Sequence, residues 1–139
     1  MTAAPPPGRR ALLVLLLIYT GASLAHFTHN AERLAAYPNL PPTLTRAAVY
    51  AAFAALAALG LCGYLLLRRQ ATLAGLLVLA LYAACGFDGL LHYTRAPFAA
   101  HTATMNATIL TEVAAAALLL AGVLAELRRY LLAGAPRPC

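Results

Sequence analysis

Four long apolar segments, separated by short polar or proline-containing stretches, make up most of the chain. The segments lack the strict alternation of a β-strand, and each is about 17 residues or longer, enough for a helix to cross about 30 Å of hydrocarbon. The predicted spans are residues 11–29, 45–67, 71–93 and 98–127. The pattern therefore predicts an all-α integral membrane protein that forms a four-helix bundle.

The connections between the spans support this division. The stretch YPNLPPTLTR contains three prolines and cannot continue a helix, so residues 30–44 form the predicted outer loop. The stretch LRRQAT joins spans two and three as a short hairpin, and Pro97 marks the turn before span four. Residues 1–139 are thus predicted to form a single transmembrane domain, with no room for a soluble one.

Composition excludes a water-soluble domain. Hydrophobic residues make up 63% of the chain and charged residues 10%, and the mean hydropathy is +0.76. A soluble domain carries about 25% charged residues. The chain therefore has too few charges to cover a surface that faces water.

The arginines predict the orientation, because the ten basic residues include no lysine. Seven fall on one side of the predicted membrane: Arg9, Arg10, Arg68, Arg69, Arg128, Arg129 and Arg137. Three fall on the other: Arg33, Arg46 and Arg95. The positive-inside rule then predicts a multi-pass protein of the cell membrane, such as a bacterial inner membrane, with both termini in the cytoplasm.

The net charge of +6 predicts contact with membrane lipid rather than with nucleic acid. Arginines in small groups at helix ends suit anionic lipid headgroups. A nucleic-acid-binding face would instead carry a continuous basic stripe, which the sequence lacks. A second copy of the chain or a partner in a membrane complex also remains open.

All four histidines fall at the predicted outer ends of the spans. His26 and His29 form an H-x-x-H pair at the end of span one, and His101 opens span four. Asp88 and His92 lie in the last turns of span three, four residues apart and so on one helix face. The set converges on one membrane face from three helices.

This cluster predicts a metal site, because imidazole suits zinc, copper and iron, and a carboxylate can orient a ligating imidazole. The predicted ligands are His26, His29, Asp88, His92 and His101. The order of Asp88, His92 and His101 resembles the copper ligands in the C subunit of membrane-bound methane monooxygenases. The gap to the last histidine is shorter here, and three residues identify no family. Haem held by two of the histidines is the weaker alternative, since they lie close to the membrane surface.

A deeper group of polar side chains is expected to support the site. Glu112 lies about 16 Å below His101 along span four, near the bilayer centre. A carboxylate at that depth costs about 2.5–3.5 kcal/mol, so Glu112 is expected to face the bundle interior in its uncharged form. The supporting residues are Glu112, Thr108, Asn30, Tyr19, Tyr82 and Cys85.

Two classes of function follow from this reading. The first is a metal-dependent membrane enzyme or redox component, and the second is a non-catalytic accessory, assembly or transport subunit whose polar cluster is structural or binds haem. Span four continues below Glu112 as VAAAALLLAGVLA, and a polar track that stops halfway suits a site better than a channel. Whether the protein is an enzyme stays open at this point.

The first 25 residues also fit a second interpretation. A basic start, a short apolar core and a small-residue ending at Ala25 are typical of a secretory signal peptide. Cleavage there would make His26 the new N-terminus, and an N-terminal histidine can chelate copper through its amine and its ring. Both interpretations stay open.

Overall fold

A computed structural model describes residues 7–133, and within that range it contains helices and no strand. The helices are α1 (Pro7–Glu32), α2 (Arg46–Arg68), α3 (Thr72–Cys85), α4 (His92–Arg95) and α5 (Ala103–Ala133). Four segments are long and apolar enough to cross a membrane: Gly8–Glu32, Arg46–Arg68, Thr72–Arg95 and Ala103–Ala133. The predicted all-α four-helix bundle is confirmed. Arg137 and the first six residues of the possible signal peptide lie outside the described residues.

The third span is not one regular helix, although the sequence predicts a helix through residue 93. The α-helix ends at Cys85, a 3-10 turn covers Asp88–Leu91, and α4 adds a single turn from His92 to Arg95. The stretch between carries Gly86 and Gly89, and glycine is among the weakest helix formers. The broken end of this span therefore presents Asp88 and His92 from irregular turns.

The fourth span begins later than predicted. Pro97 and His101 both have extended backbones, and Phe98–Ala100 forms a 3-10 turn between them. The Thr102 hydroxyl accepts a hydrogen bond from the Met105 backbone N–H at 3.2 Å, which is the contact of an N-cap. The helix starts after this cap, so the expectation that His101 opens span four is wrong. His101 lies on the connecting segment just before α5.

Close contact between α2 and α3 depends on glycine. A Cβ atom on Gly63 would lie 2.8 Å from the Leu79 side chain, and one on Gly75 would lie 2.9 Å from the Leu67 backbone nitrogen. Small residues at such positions let two membrane helices approach closely. Among the described residues, α1 also packs against α5 and α2, and α3 packs against α5.

The two ends of the bundle differ in chemistry. We call the end that carries Arg9, Arg10, Arg68, Arg69, Arg128 and Arg129 the arginine end, and the end that carries the four histidines the histidine end. Towards the arginine end the core is apolar and includes Leu12, Leu16, Leu67, Leu76, Leu79, Leu119 and Val123. The buried polar side chains lie towards the other end: Ser23, His26, His92, His101, Asn106 and Glu112.

The loop between α1 and α2 folds over the histidine end. Tyr37 is buried within it, against Met105 and Ile109 of α5. Asn39 adopts a left-handed backbone with φ of 57°, and its side-chain amide donates to the Arg95 carbonyl at 2.8 Å. The loop is therefore tied to the end of the third span and covers the polar part of the core.

Candidate functional site

Three histidines stand next to one another at the histidine end. His26 comes from α1, His92 from the first turn of α4, and His101 from the segment before α5, and all three are buried. The ring centroids of His26 and His92 are 5.4 Å apart, and those of His92 and His101 are 6.1 Å apart. We call these three residues the histidine row.

In the ring of His101, one nitrogen makes a hydrogen bond and the other makes none within the described residues. Its Nδ1 lies 3.1 Å from the Pro97 carbonyl oxygen, which only accepts, so Nδ1 carries the ring proton. In the neutral ring Nε2 then holds a lone pair, and this buried atom has no hydrogen-bond partner within residues 7–133. The Asn106 amide donates to the carbonyls of Phe98 and His101 at 3.2 and 3.3 Å and so fixes the segment that carries the ring.

His92 occupies the middle of the row. Its ring centroid lies 4.9 Å from that of Tyr37, so the loop tyrosine packs against the middle of the row. Its Nδ1 is buried and finds no partner in the described part of the chain. A buried ring nitrogen without a partner is unusual in a folded protein and calls for an explanation.

His26 faces the deepest carboxylate. The Thr108 hydroxyl donates to the Met105 carbonyl at 3.0 Å and so accepts from His26 Nδ1 at 3.5 Å. The other ring nitrogen, Nε2, lies 3.7 Å from Oε2 of Glu112, a residue that is 0% exposed. This distance is too long for a hydrogen bond, and because a nitrogen lone pair and a carboxylate oxygen are both acceptors, a cation between them would be bound by both.

This contact corrects the expected depth of the site. The rise of about 16 Å from His101 to Glu112 predicts that the carboxylate lies apart from the ligands. However, α1 continues to Glu32 rather than ending at residue 29, which puts His26 about 9 Å below the end of its helix. His26 thereby reaches Glu112, and the histidine row and the carboxylate form one polar cluster.

A side cavity of about 170 Å³ opens beside the row, between α1, α2 and the turn that leads to α4. Its polar lining comes from His26, Asn30, Asp88 and His92. Asp88 itself is exposed at this site. On α2 the cavity is bordered by Ala48 and Ala52, which lie on one helix face and leave the space open because their side chains are small.

His29 is set apart from the other three histidines. Its Nδ1 lies 2.9 Å from the Tyr37 hydroxyl, and the Tyr37 ring packs against both His29 and His92. Burial raises the pKa of Tyr37 to about 12, so the phenol keeps its proton at neutral pH. Tyr37 is a site residue that the sequence reasoning missed, because no periodicity places a side chain from a proline-rich loop.

The deeper tyrosines pair with each other. Tyr19 and Tyr82 are fully buried with ring centroids 4.6 Å apart, and the Tyr19 hydroxyl donates to the Tyr82 carbonyl at 3.4 Å. Thr20 and Tyr82 share a hydroxyl–hydroxyl hydrogen bond of 3.0 Å. Cys85 is half-buried at the end of α3. Tyr19, Thr20 and Tyr82 are thus joined by hydrogen bonds, and the hydrogen bonds of the described residues do not join them to Glu112.

Ser23 is a second residue that the sequence reasoning missed. It lies one turn before His26 on α1, is almost fully buried, and stands beside the Glu112 carboxyl. The spacing of three residues from His26 was the available signal, since residues three apart share a helix face. Ser23 completes the polar surroundings of the carboxyl group.

Comparison of the chain with known protein families, with curated proteins and with solved structures finds no match. Within residues 7–133, no three His, Cys, Asp or Glu side chains stand in an arrangement that could hold a metal ion as they are.

Proposed function

We propose that this is a small integral membrane protein that binds one transition-metal ion at its histidine end, with the histidine row as ligands. The observation that carries the proposal is the ring of His101. Its Nδ1–H is held by a backbone carbonyl and its Nε2 is buried without a partner in the described residues. A hydrogen bond from the second ring nitrogen is what orients and fixes the tautomer of ligating histidines.

The charge of the cluster supports the same proposal. Neutral imidazoles supply lone pairs but no negative charge, and Glu112 supplies the carboxylate beside His26. A metal ion at this position would accept a lone pair from each of these two groups. Three nitrogens with one carboxylate oxygen suit zinc, copper or iron. Asp88 and Asn30, which line the cavity, are further oxygen donors on the same side.

Metal binding requires the three rings of the histidine row to move closer together. Two imidazoles on one tetrahedral ion have ring centroids about 5 Å apart, given metal–nitrogen distances near 2 Å. The two adjacent spacings are 5.4 and 6.1 Å, and the ends of the row, His26 and His101, must also meet the spacing of about 5 Å, so the larger movement falls to His101. His101 lies on a non-helical connection, which can shift more readily than a helix.

The cavity favours a metal-dependent enzyme or redox component over a closed structural site. At about 170 Å³ it is close to the roughly 150 Å³ that holds a benzene molecule, so a second ligand at the metal would be small, and haem would not fit. The core towards the arginine end is apolar, which argues against a channel. With the arginine end in the cytoplasm, the site would face outwards.

The decisive test is the metal content of the protein purified in detergent. The wild type is expected to retain close to one equivalent of metal by elemental analysis, and the double variant His92→Ala, His101→Ala is expected to lose it. His29→Ala is the matched control, because this ring contacts Tyr37 rather than the row. It should keep its metal.

Thermal unfolding of each variant shows whether the fold survives. The proposal is wrong if the folded wild type, supplied with zinc, copper and iron in turn, binds none of them. It is equally wrong if the folded double variant binds as much metal as the wild type.

The cavity proposal has its own test on the cobalt-substituted protein. Azide is expected to change the visible spectrum of bound Co²⁺ by entering the cavity. Ala52→Leu fills that cavity and should weaken azide binding at least about tenfold, while Ala51→Leu, an exposed neighbour outside the cavity lining, should not. Equal azide binding by both variants would contradict a cavity that opens onto the metal.

A further inference from the structure

A second cavity lies at the arginine end, far from the histidine row, and has a volume of about 240 Å³. Arg9, Thr72, Arg129 and Tyr130 give it a polar rim, and the leucines Leu12 and Leu76 give it an apolar floor. The rim residues come from the first turns of α1 and α3 and the last turns of α5. A ligand with a charged head and an apolar tail would match this lining.

Arg9 holds a positive charge at a fixed position on the rim. Its guanidinium donates to the Leu67 carbonyl at 3.1 Å, to Gln70 Oε1 at 3.2 Å and to the Thr72 hydroxyl at 3.3 Å. All three acceptors are neutral, and no carboxylate pairs with Arg9 among residues 7–133. A guanidinium has five N–H donors, so two remain for a ligand.

The carboxylate of the cavity is already engaged. Glu126 accepts a hydrogen bond from Arg129 and packs against Gly8 in the first turn of α1. A helix N-terminus attracts negative charge, and within residues 7–133 the ion pair of Glu126 is with Arg129 and not with Arg9. Two guanidiniums against one carboxylate leave the rim with a net positive charge.

We propose that this cavity binds the phosphate of an anionic phospholipid. The phosphate would lie between Arg9 and Arg129, with the first methylene groups of the lipid tails over Leu12 and Leu76. Basic pockets between membrane helices at the cytoplasmic side are suited to such headgroups. Free inorganic phosphate offers the same charge without the tail and is the alternative source. This site is independent of the proposed metal site.

Native mass spectrometry of the detergent-purified protein tests the site with two lipids of equal tail length. Phosphatidylglycerol is expected to bind and zwitterionic phosphatidylcholine is not. Arg129→Gln should weaken phosphatidylglycerol binding about fivefold, the effect of one basic residue near a membrane surface. Arg128→Gln removes the same charge from the neighbouring exposed position outside the cavity and should change binding little.

Arg9→Gln, compared with Arg10→Gln, repeats the test on the other side of the rim. Arg9 also joins α1 to the α2–α3 turn, so thermal unfolding must show that Arg9→Gln is folded before its lipid binding is compared. The comparison of Arg129→Gln with Arg128→Gln does not depend on this variant. Equal losses in Arg128→Gln and Arg129→Gln would reduce the effect to general charge attraction and overturn the proposal. Equal binding of both lipids, or displacement of the lipid by millimolar inorganic phosphate, would overturn it too.

Discussion

Glu112→Leu is expected to unfold at a higher temperature than the wild type when both are free of metal. Glu112 is fully buried, and neither carboxyl oxygen has a hydrogen-bond partner in the described part of the chain. A buried polar group without a partner costs about 1–3 kcal/mol, and leucine removes that cost at similar volume. The free energy of unfolding should rise by about 1–2 kcal/mol, and metal content should fall because the carboxylate is gone.

The control for this variant is Glu126→Leu at the arginine end. Glu126 is bound to Arg129 and partly accessible, so its loss should bring no gain in stability. Both are compared with the wild type by thermal unfolding in one detergent, after chelation and again after metal is added. A metal-free Glu112→Leu protein that unfolds below the wild type would show that the carboxyl is a structural hydrogen-bonding group instead.

Gly86→Ala is expected to destabilise the bundle by about 1–3 kcal/mol, the usual cost of overpacking a core. A Cβ atom at this position would lie 2.5 Å from the Tyr19 hydroxyl oxygen and 2.6 Å from the Ala116 Cβ. Tyr19 and Ala116 are both 0% exposed. The Tyr19 ring cannot move aside because the core surrounds it, and the Ala116 Cβ cannot because it is bonded directly to the backbone of α5.

Gly21→Ala supplies the matched comparison. An added Cβ there meets nothing within 4 Å, and alanine is about 1 kcal/mol better than glycine inside a helix. The two variants should therefore shift the unfolding temperature in opposite directions. Unchanged or raised stability in Gly86→Ala would mean that the contact between the end of α3 and its neighbours is looser than the structure has it.

The four helices were predictable because length and hydropathy alone decide whether a segment can cross a membrane. The break after Cys85 was not, because an apolar run that ends in a 3-10 turn has the same hydropathy as one that ends in an α-helix. The start of α5 after His101 depends on the Thr102 cap and the extended Pro97, which are local backbone features. Hydropathy does not predict the Thr102 cap or the extended backbone of Pro97.

The candidate site could be predicted in part. Clustering of histidines at one set of helix ends pointed to His26, His92 and His101, which the structure brings together. The contact of His26 with Glu112 was missed because α1 extends to Glu32 rather than 29, a difference of about 4.5 Å in depth. Tyr37 was missed because its position depends on a loop held by tertiary contacts.

The pairing of α1 with α5 has a consequence for biosynthesis. His26 and Ser23 lie on α1, which leaves the ribosome before α5, and the carboxyl group that they face belongs to α5. Until α5 inserts, these polar side chains have no carboxyl partner in the lipid, where an unsatisfied polar group is costly. The polar cluster is therefore completed only when α5 inserts, and a nascent chain that stalls before α5 carries an unfinished site.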